Sequence, residues 1–259
     1  ATLSAAMESD DVLQVSVNAG SSWTDKTSDV SGTSLSTSIT LSDDTTSAIH
    51  IRITDDAGNV GTATTQAYTH DDTAPTQSYS SVDISADTGT SDSDFETKTA
   101  SQTLTATLSA AMESDDVLEV SVDAGSSWTT KTSDVTTTSL STSITLSGTS
   151  AIHIRITDDA GNVGTATTQA YTLDTTAPTM TIASGTVTSG DTSNDATIAL
   201  TFTSSESTTG FAAGDVTVSA GTISSFAGSG ASYSATFTPS SDATYTISVA
   251  ASAYADTAG

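Results

Sequence analysis

The stretch AIHIRIT at residues 151–157, present also at 48–54, decides the fold class. Ile152, Ile154 and Ile156 alternate with polar residues, so one side of this extended segment is apolar and the other is polar. Side chains of a β-strand point alternately to opposite faces, and this alternation therefore predicts a half-buried strand. Similar short runs, separated by turns rich in Ser, Thr, Gly and Asp, recur along the chain and predict an all-β protein built of β-sandwiches.

The strand belongs to a long internal repeat. Trp23 aligns with Trp128 at an offset of 105, whereas His50 aligns with His153 at an offset of 103. The offsets differ because the polar turn between the tryptophan and the histidine is two residues shorter in the second copy. A period of about 100 residues is too long for a solenoid unit and indicates a self-contained domain.

The repeat predicts three domains, which we call the first, second and third modules. The first, residues 1–73, is a repeat that lacks its first strand region; the second, 74–176, is a complete repeat; the third, 177–259, is a second subtype whose C-terminal strand is truncated. We therefore expect the protein to continue in both directions, since unpaired sheet edges are sticky.

The sequence TAPT at 73–76 and 176–179 marks the two connectors. Proline fixes its own φ and biases the preceding residue towards extended backbone, so each connector is short and stiff. This predicts tandem domains arranged end to end as a rod.

Charge and composition exclude several classes of function. The chain has 31 Asp and Glu against five Lys and Arg, a net charge of -26, which excludes nucleic acid as a partner. It has no cysteine for disulfides and no apolar run long enough for a membrane span. Only three histidines are available as bases, and no nucleophile elbow, metalloprotease motif or P-loop is present, so we predict no catalytic residues and no enzyme.

Acidic residues gather at the predicted module ends. Calcium takes six to eight oxygen ligands, which several converging loops supply more readily than one, and the absence of cysteine argues against zinc. We therefore predict structural Ca²⁺ at the joints between modules, with ligands from residues 55–94 at the first connector and from 158–195 at the second. The candidate ligands are Asp55, Asp56, Asn59, Asp72, Asp87, Asp92, Asp94, Asp158, Asp159, Asn162, Asp174, Asp191 and Asp195. The alternative is that these residues are solvated turn formers without metal.

Two pairs of aromatic residues are interpreted as structural. His50 and His153 alternate with isoleucines and should lie on the face opposite the core. Trp23 and Trp128 follow a turn and are expected to cap the sandwich core rather than to stack on a sugar.

The stretches VSVDAGSSWT at 120–129 and ITDDAGNVGTATTQAYTLDTTAPT at 156–179 resemble the bacterial immunoglobulin-like (Ig-like) repeats of giant type I-secreted, calcium-binding adhesins and biofilm-associated surface proteins. The third module, ending in AYADTAG at 253–259, is similar to another Ig-like subtype of the same proteins. The resemblance implies Ig-like sandwiches, export to the bacterial cell surface or medium, and neighbouring Ig-like repeats of the same chain as partners.

The function expected from this resemblance is a structural extender, the stalk of an adhesin. Two alternatives stay open: a subunit of a surface layer or extracellular filament, in which other copies are partners, and a glycan- or protein-binding Ig-like module. The outward strand positions are mostly Ser and Thr, which favours the stalk over lateral assembly.

Overall fold

The computed structural model describes residues 1–42 and 45–259 and is built almost entirely of β-strands, which confirms the predicted all-β class. Contacts divide it into two compact units. The first comprises Ala1–Thr76 with Thr157–Gly164, and the second comprises Gln77–Ile156 with Thr165–Gly259. Each predicted module carries its own hydrophobic cluster, and the exact division into three domains stays a prediction.

The second module is a complete β-sandwich. Its sheets have the strand orders β11-β10-β14-β15-β8 and β12-β13-β9-β7. The pairs β11-β10, β14-β15, β12-β13, β13-β9 and β9-β7 are antiparallel, whereas β15 and β8 are parallel. The strands are β7 (Tyr79–Ile84), β8 (Glu96–Thr97), β9 (Ser101–Leu108), β10 (Val117–Ser121), β11 (Thr129–Thr130), β12 (Val135–Thr136), β13 (Ser139–Thr145), β14 (Thr149–Thr157) and β15 (Thr167–Leu173), with a 3-10 turn at Thr132–Asp134.

Alternation places the core of this module between the two sheets. Ile152, Ile154 and Ile156 of β14 are almost fully buried, and they face Leu104 and Leu108 of β9. The intervening His and Arg residues of β14 point to the outer face, as the two-residue period requires. The predicted strand and its buried face are therefore confirmed.

The first module has the same sheet but a much smaller opposite layer. Its strands are β1 (Val12–Ser16), β2 (Thr24–Asp25), β3 (Val30–Ser31), β4 (Ser34–Leu35), β5 (Thr45–Thr54) and β6 (Thr64–His70), with a 3-10 turn at Thr27–Asp29. The sheet β2-β1-β5-β6 is opposed by the hairpin β3-β4. The turn that differs in length between the two repeats includes Asp43 and Asp44, which lie outside the described residues.

The third module has a three-stranded sheet, β16-β17-β19, and a two-stranded sheet, β18-β20. Its core contains a cluster of aromatic rings, in which Phe211 lies 5.0 Å from Tyr233 and 5.5 Å from Phe202 between ring centroids. The strands are β16 (Met180–Ser184), β17 (Ile198–Thr208), β18 (Val216–Val218), β19 (Thr222–Thr238) and β20 (Ile247–Val249), with a 3-10 turn at Ala213–Asp215.

The prediction that the tryptophans cap the core is wrong. Trp128 is absent from the buried cluster and lies on the outer face, where the guanidinium carbon of Arg155 is 3.8 Å from its ring centroid. His153 meets the same ring edge-on, with 6.2 Å between centroids. Trp23 and Arg52 repeat the stack at 3.9 Å in the first module. Arginine above an indole face is favourable by about 0.5–1 kcal/mol at exposed sites, so the ring stabilises the outside of the sheet.

Candidate metal centre

Three carboxylates from different parts of the second unit come together beside the second connector. Asp174 follows β15, Glu206 lies near the end of β17, and Asp256 belongs to the last segment of the chain. One oxygen from each lies within 4.8 Å of the others. Asp256 is 7% exposed, and the other two side chains are partly buried. This is the arrangement of hard oxygen donors that a divalent cation such as Ca²⁺ prefers.

Local structure fixes the position of each of these side chains. The amide of Asp174 donates to the carbonyl of Thr97 at 2.9 Å, and its carboxylate accepts from the amide of Thr176 at 2.9 Å. Asp256 Oδ1 accepts from the amide of Gly259 at 2.8 Å. The backbone of Thr209, just after β17, forms two hydrogen bonds with Ala255. The last segment is thereby held against the end of β17.

Glu206 occupies the inward register of its strand. Leu200, Phe202 and Ser204 on the same face of β17 are buried. Glu206 is the next residue on this face, near the end of the strand, and is partly buried. Burial, and then the neighbouring charges of Asp174 and Asp256, raise the pKa of Glu206 above its usual value. Residues 177–259 contain no Lys, Arg or His, so no basic residue of the third module can neutralise the cluster.

The loop between β7 and β8 adjoins the same region. Asp87 Oδ2 accepts from the amide of Phe95 at 2.9 Å. Burial is the main cause that raises the pKa of Asp87, and the charges of Asp94, Asp83 and Asp92 add to it, while the hydrogen bond from Phe95 acts in the opposite direction. Asp87 Oδ1 is buried without a hydrogen-bond partner.

The same loop holds the last residues of the chain. Thr90 donates its amide to the carbonyl of Thr257, and Thr88 Oγ1 donates to the carbonyl of Ala258 at 2.6 Å. The Thr257 hydroxyl also contacts Glu96 Oε1 at 2.6 Å. Within the second unit, the loop of the second module and the end of the third are therefore joined by direct hydrogen bonds.

The predicted grouping of the acidic loops is wrong, because it placed loops at the wrong ends of their strands. Asp87, Asp92 and Asp94 were assigned to the first connector, but their loop pairs with β15 next to Asp174, at the second. Asn162 was assigned to the second connector, but its Nδ2 donates to the carbonyl of Asp71, at the first.

Four further predicted residues lie far from the connectors to which they were assigned. Asp191 and Asp195 are exposed in the loop between β16 and β17, roughly 25 Å from Glu206 at the usual rise of a strand. Asp55 and Asp56 lie before β6, whose length separates them from Asp71 by roughly 20 Å. Their role as metal ligands stays a prediction, as it does for Asp72 and for the exposed Asp159.

Two of the predicted ligands are occupied within their own loops. Asp55 accepts from the amide of Asn59 at 2.7 Å and from its side-chain nitrogen at 2.8 Å, and Asp158 binds Asn162 in the same way. The Asn59 contacts lower the pKa of Asp55. This is the turn-forming arrangement that was left open as the alternative to metal binding.

The sequence reasoning missed Glu206 and Asp256, although two signals could have identified them. Glu206 is a carboxylate at an inward position of the alternating run LTFTSSEST, where an apolar residue is normal. Asp256 opens DTAG at 256–259, the counterpart of DDAG at 55–58 and 158–161. In all three copies the glycine has a positive φ, between 85° and 96°. The turn that carries Asp158 near Asp71 therefore also carries Asp256 to Asp174.

All three carboxylates of the cluster fall within the one segment that matches a family model. Residues 174–259 match the family model described as the bacterial Ig-like domain. This segment is similar to a bacterial Ig-like domain, a non-catalytic domain type that typically occurs in extracellular or surface proteins. No curated protein matches the chain. In the part of the chain that the structure describes, no helix is long and apolar enough to cross a membrane.

Proposed function

We propose that the chain is an extender segment of a secreted or cell-surface bacterial adhesin, in which tandem Ig-like modules form a rod and Ca²⁺ stiffens the joints between them. The observation that carries the calcium part is the cluster of Asp174, Glu206 and Asp256 around the second connector. Three carboxylates at this spacing repel one another, and a divalent cation relieves that repulsion while bridging the connector to the third module.

The surface chemistry supports an extender over a subunit that packs laterally. Large hydrophobic side chains that are well exposed among the described residues are Ile39, Val60 and Val163. Scattered single residues of this kind do not make the contiguous apolar patch that stable assembly needs.

The hydrogen bonds between the loop at 88–96 and residues 257–258 support a joint that is already formed before metal binds. Calcium then has less conformational freedom to remove, because the ligands are held near their final positions. Extracellular calcium sites bind at about 10⁻⁴ to 10⁻³ M, and a site of about 10⁻⁴ M at about 1 mM free Ca²⁺ would stabilise the folded state by about 1.4 kcal/mol.

Calcium titration of the full chain tests the proposal. Isothermal calorimetry and thermal unfolding, each with added Ca²⁺ and with a chelator, should show binding and a higher midpoint with calcium. Glu206→Gln should lose the responses that come from the cluster, while Asp191→Asn, which removes a charge roughly 25 Å away from Glu206, should keep them. A loss in Asp191→Asn as well would instead favour the sequence-based prediction that Asp191 is a ligand.

Small-angle scattering tests the extender role and the role of calcium separately. With Ca²⁺ we expect a larger and better defined maximum dimension than with chelator. An extended particle that is indifferent to the chelator would remove calcium but keep the extender. A compact particle in both conditions would contradict the extender itself.

A further inference from the structure

A cavity lies between the edges of the two sheets of the second module. Residues of β10 and of the segment 127–131 line one wall, and Ser143, Ile144 and Thr145 of β13 line the other. Its volume is about 220 Å³, below the roughly 300–1,000 Å³ that is usual for sites of drug-sized ligands. The cavity therefore has room for one small ring. All of its lining residues belong to the complete second module.

The floor of the cavity is apolar and is continuous with the core. Val120 is 3% exposed and Ile144 is 9% exposed, and both belong to the hydrophobic cluster of the module. Val122, which also lines the cavity, packs against the same cluster. Such a floor can pack against the C–H groups on one face of a small ring, while polar groups around it fix the orientation.

Backbone donors lie along the β13 wall. Residues of an antiparallel strand bond alternately to one neighbour and to the other. The amide of Leu146 donates to the carbonyl of Ala100, so the even-numbered residues of this strand bond towards β9. On the other side, the pairing with β12 ends at Ser139 and Leu140. The N–H groups of Ser143 and Thr145 therefore point away from β9, and the described residues offer them no acceptor.

Lys131 makes this edge unsuitable for an added strand. Its Nζ donates to the carbonyl of Ser143 at 3.0 Å and so occupies an acceptor that strand pairing would need. Asp134 Oδ2 lies 4.0 Å from the same nitrogen and offsets part of its charge. The edge thus offers hydrogen-bond donors with little net charge, which favours a neutral ligand rich in acceptors.

Hydroxyl groups around the cavity add both donors and acceptors. Ser127 Oγ donates to Asp123 Oδ2 at 2.5 Å, so its lone pairs are left to accept. The hydroxyls of Thr129 and Thr145 are on exposed residues and form no hydrogen bond with other described residues. A ligand that carries several hydroxyls of its own satisfies both kinds of group at once.

We propose that this cavity binds a single neutral pyranose unit of a glycan, with its C–H face on Val120 and Ile144 and its hydroxyls on the surrounding polar groups. The β13 wall belongs to the octapeptide SLSTSITL at 139–146, which recurs at 34–41, and the other lining residues also recur in the first repeat. Repetition along an array would multiply a weak site, because linked sites gain avidity. The inference does not depend on the extender role or on calcium.

The test is a titration of the full ¹⁵N-labelled chain with glucose, galactose, mannose and N-acetylglucosamine in turn. We expect at least one sugar to shift the amide signals of Ser143 and Thr145 saturably, with a dissociation constant of about 1–10 mM, as suits so small a ligand. Glycerol at the same concentration should leave these signals unchanged. No saturable shift with any of the sugars at about 100 mM, or equal shifts with glycerol, would overturn the proposal.

Two matched variants locate the site. Thr129→Phe places a ring in the cavity and should weaken sugar binding at least tenfold. Thr130→Phe changes the neighbouring residue, which is equally exposed but does not line the cavity, and should weaken binding less than twofold. Equal effects of the two changes would overturn the proposal. Glucuronate in place of glucose tests the charge: binding more than tenfold tighter would make the ligand an anion and refute a neutral sugar.

Discussion

Truncating one isoleucine in each copy of AIHIRIT should cost the two repeats very different amounts of stability. Ile154→Ala empties a position that is 1% exposed between two complete sheets. Burial of this kind makes Ile→Ala cost about 3–4 kcal/mol, the transfer of the lost atoms plus the cavity left behind. Ile51→Ala removes a partly exposed side chain from an open face, where no closed cavity forms, and should cost about 1–2 kcal/mol.

The tryptophans provide an assay that separates the repeats. The chain has two, Trp23 in the first module and Trp128 in the second, so a Trp→Phe change at either position leaves a reporter for one module. Urea unfolding followed by fluorescence, with each single-tryptophan chain as its own reference, gives the loss for each isoleucine. Equal losses at Ile51 and Ile154 would refute the reasoning that the two side chains differ in burial.

Two further predictions use matched positions within the chain. A Cβ at Gly89 would collide with the carbonyl of Thr257, so Gly89→Ala should speed hydrogen exchange of the Thr90 amide, which donates to this carbonyl, by at least tenfold. Gly190 has a similar positive φ but lies in open space, so Gly190→Ala should leave that exchange unchanged. Equal effects of the two changes would contradict the contact between the loop and the end of the chain. Hydrogen bonds from the following serines lower the pKa of Asp123 from 3.8 to about 2, so stability from this turn is complete above about pH 4 and lost as the pH falls towards 2. Asp123→Asn, the residue found at the equivalent Asn18, should flatten the acid limb of a plot of midpoint against pH, and an unchanged limb would contradict this assignment.

Local alternation made the strands predictable. It assigned Leu104 and Ile154 to the core and His153 to the outer face, because the two-residue period depends on the backbone alone. It could not place Trp128, since its contact with Arg155 depends on the order β11-β10-β14 across the sheet. Strand order is a property of pairing between distant segments and leaves little trace in a single sequence.

The candidate site was predicted in kind but not in composition. Asp174 was identified because acidic residues next to a proline connector are conspicuous, yet its partners Glu206 and Asp256 were missed. Assigning a loop to one end of a sandwich requires counting strand reversals. Two-residue strands such as β8 carry too little pattern to be counted. The loop containing Asp87 was therefore assigned to the wrong connector.

The shared octapeptide SLSTSITL at 34–41 and 139–146 also bears on how such an array could change its length. A genetic crossover between the two copies would delete 105 residues, an offset that is constant across the matched stretch, and would join Leu41 to the residue after Leu146. The hybrid repeat would keep every side chain of this octapeptide, so the residues that form its hydrogen bonds and pack in the core would be unchanged. Whole repeats could thus be gained or lost in frame while the fold of those that remain is preserved.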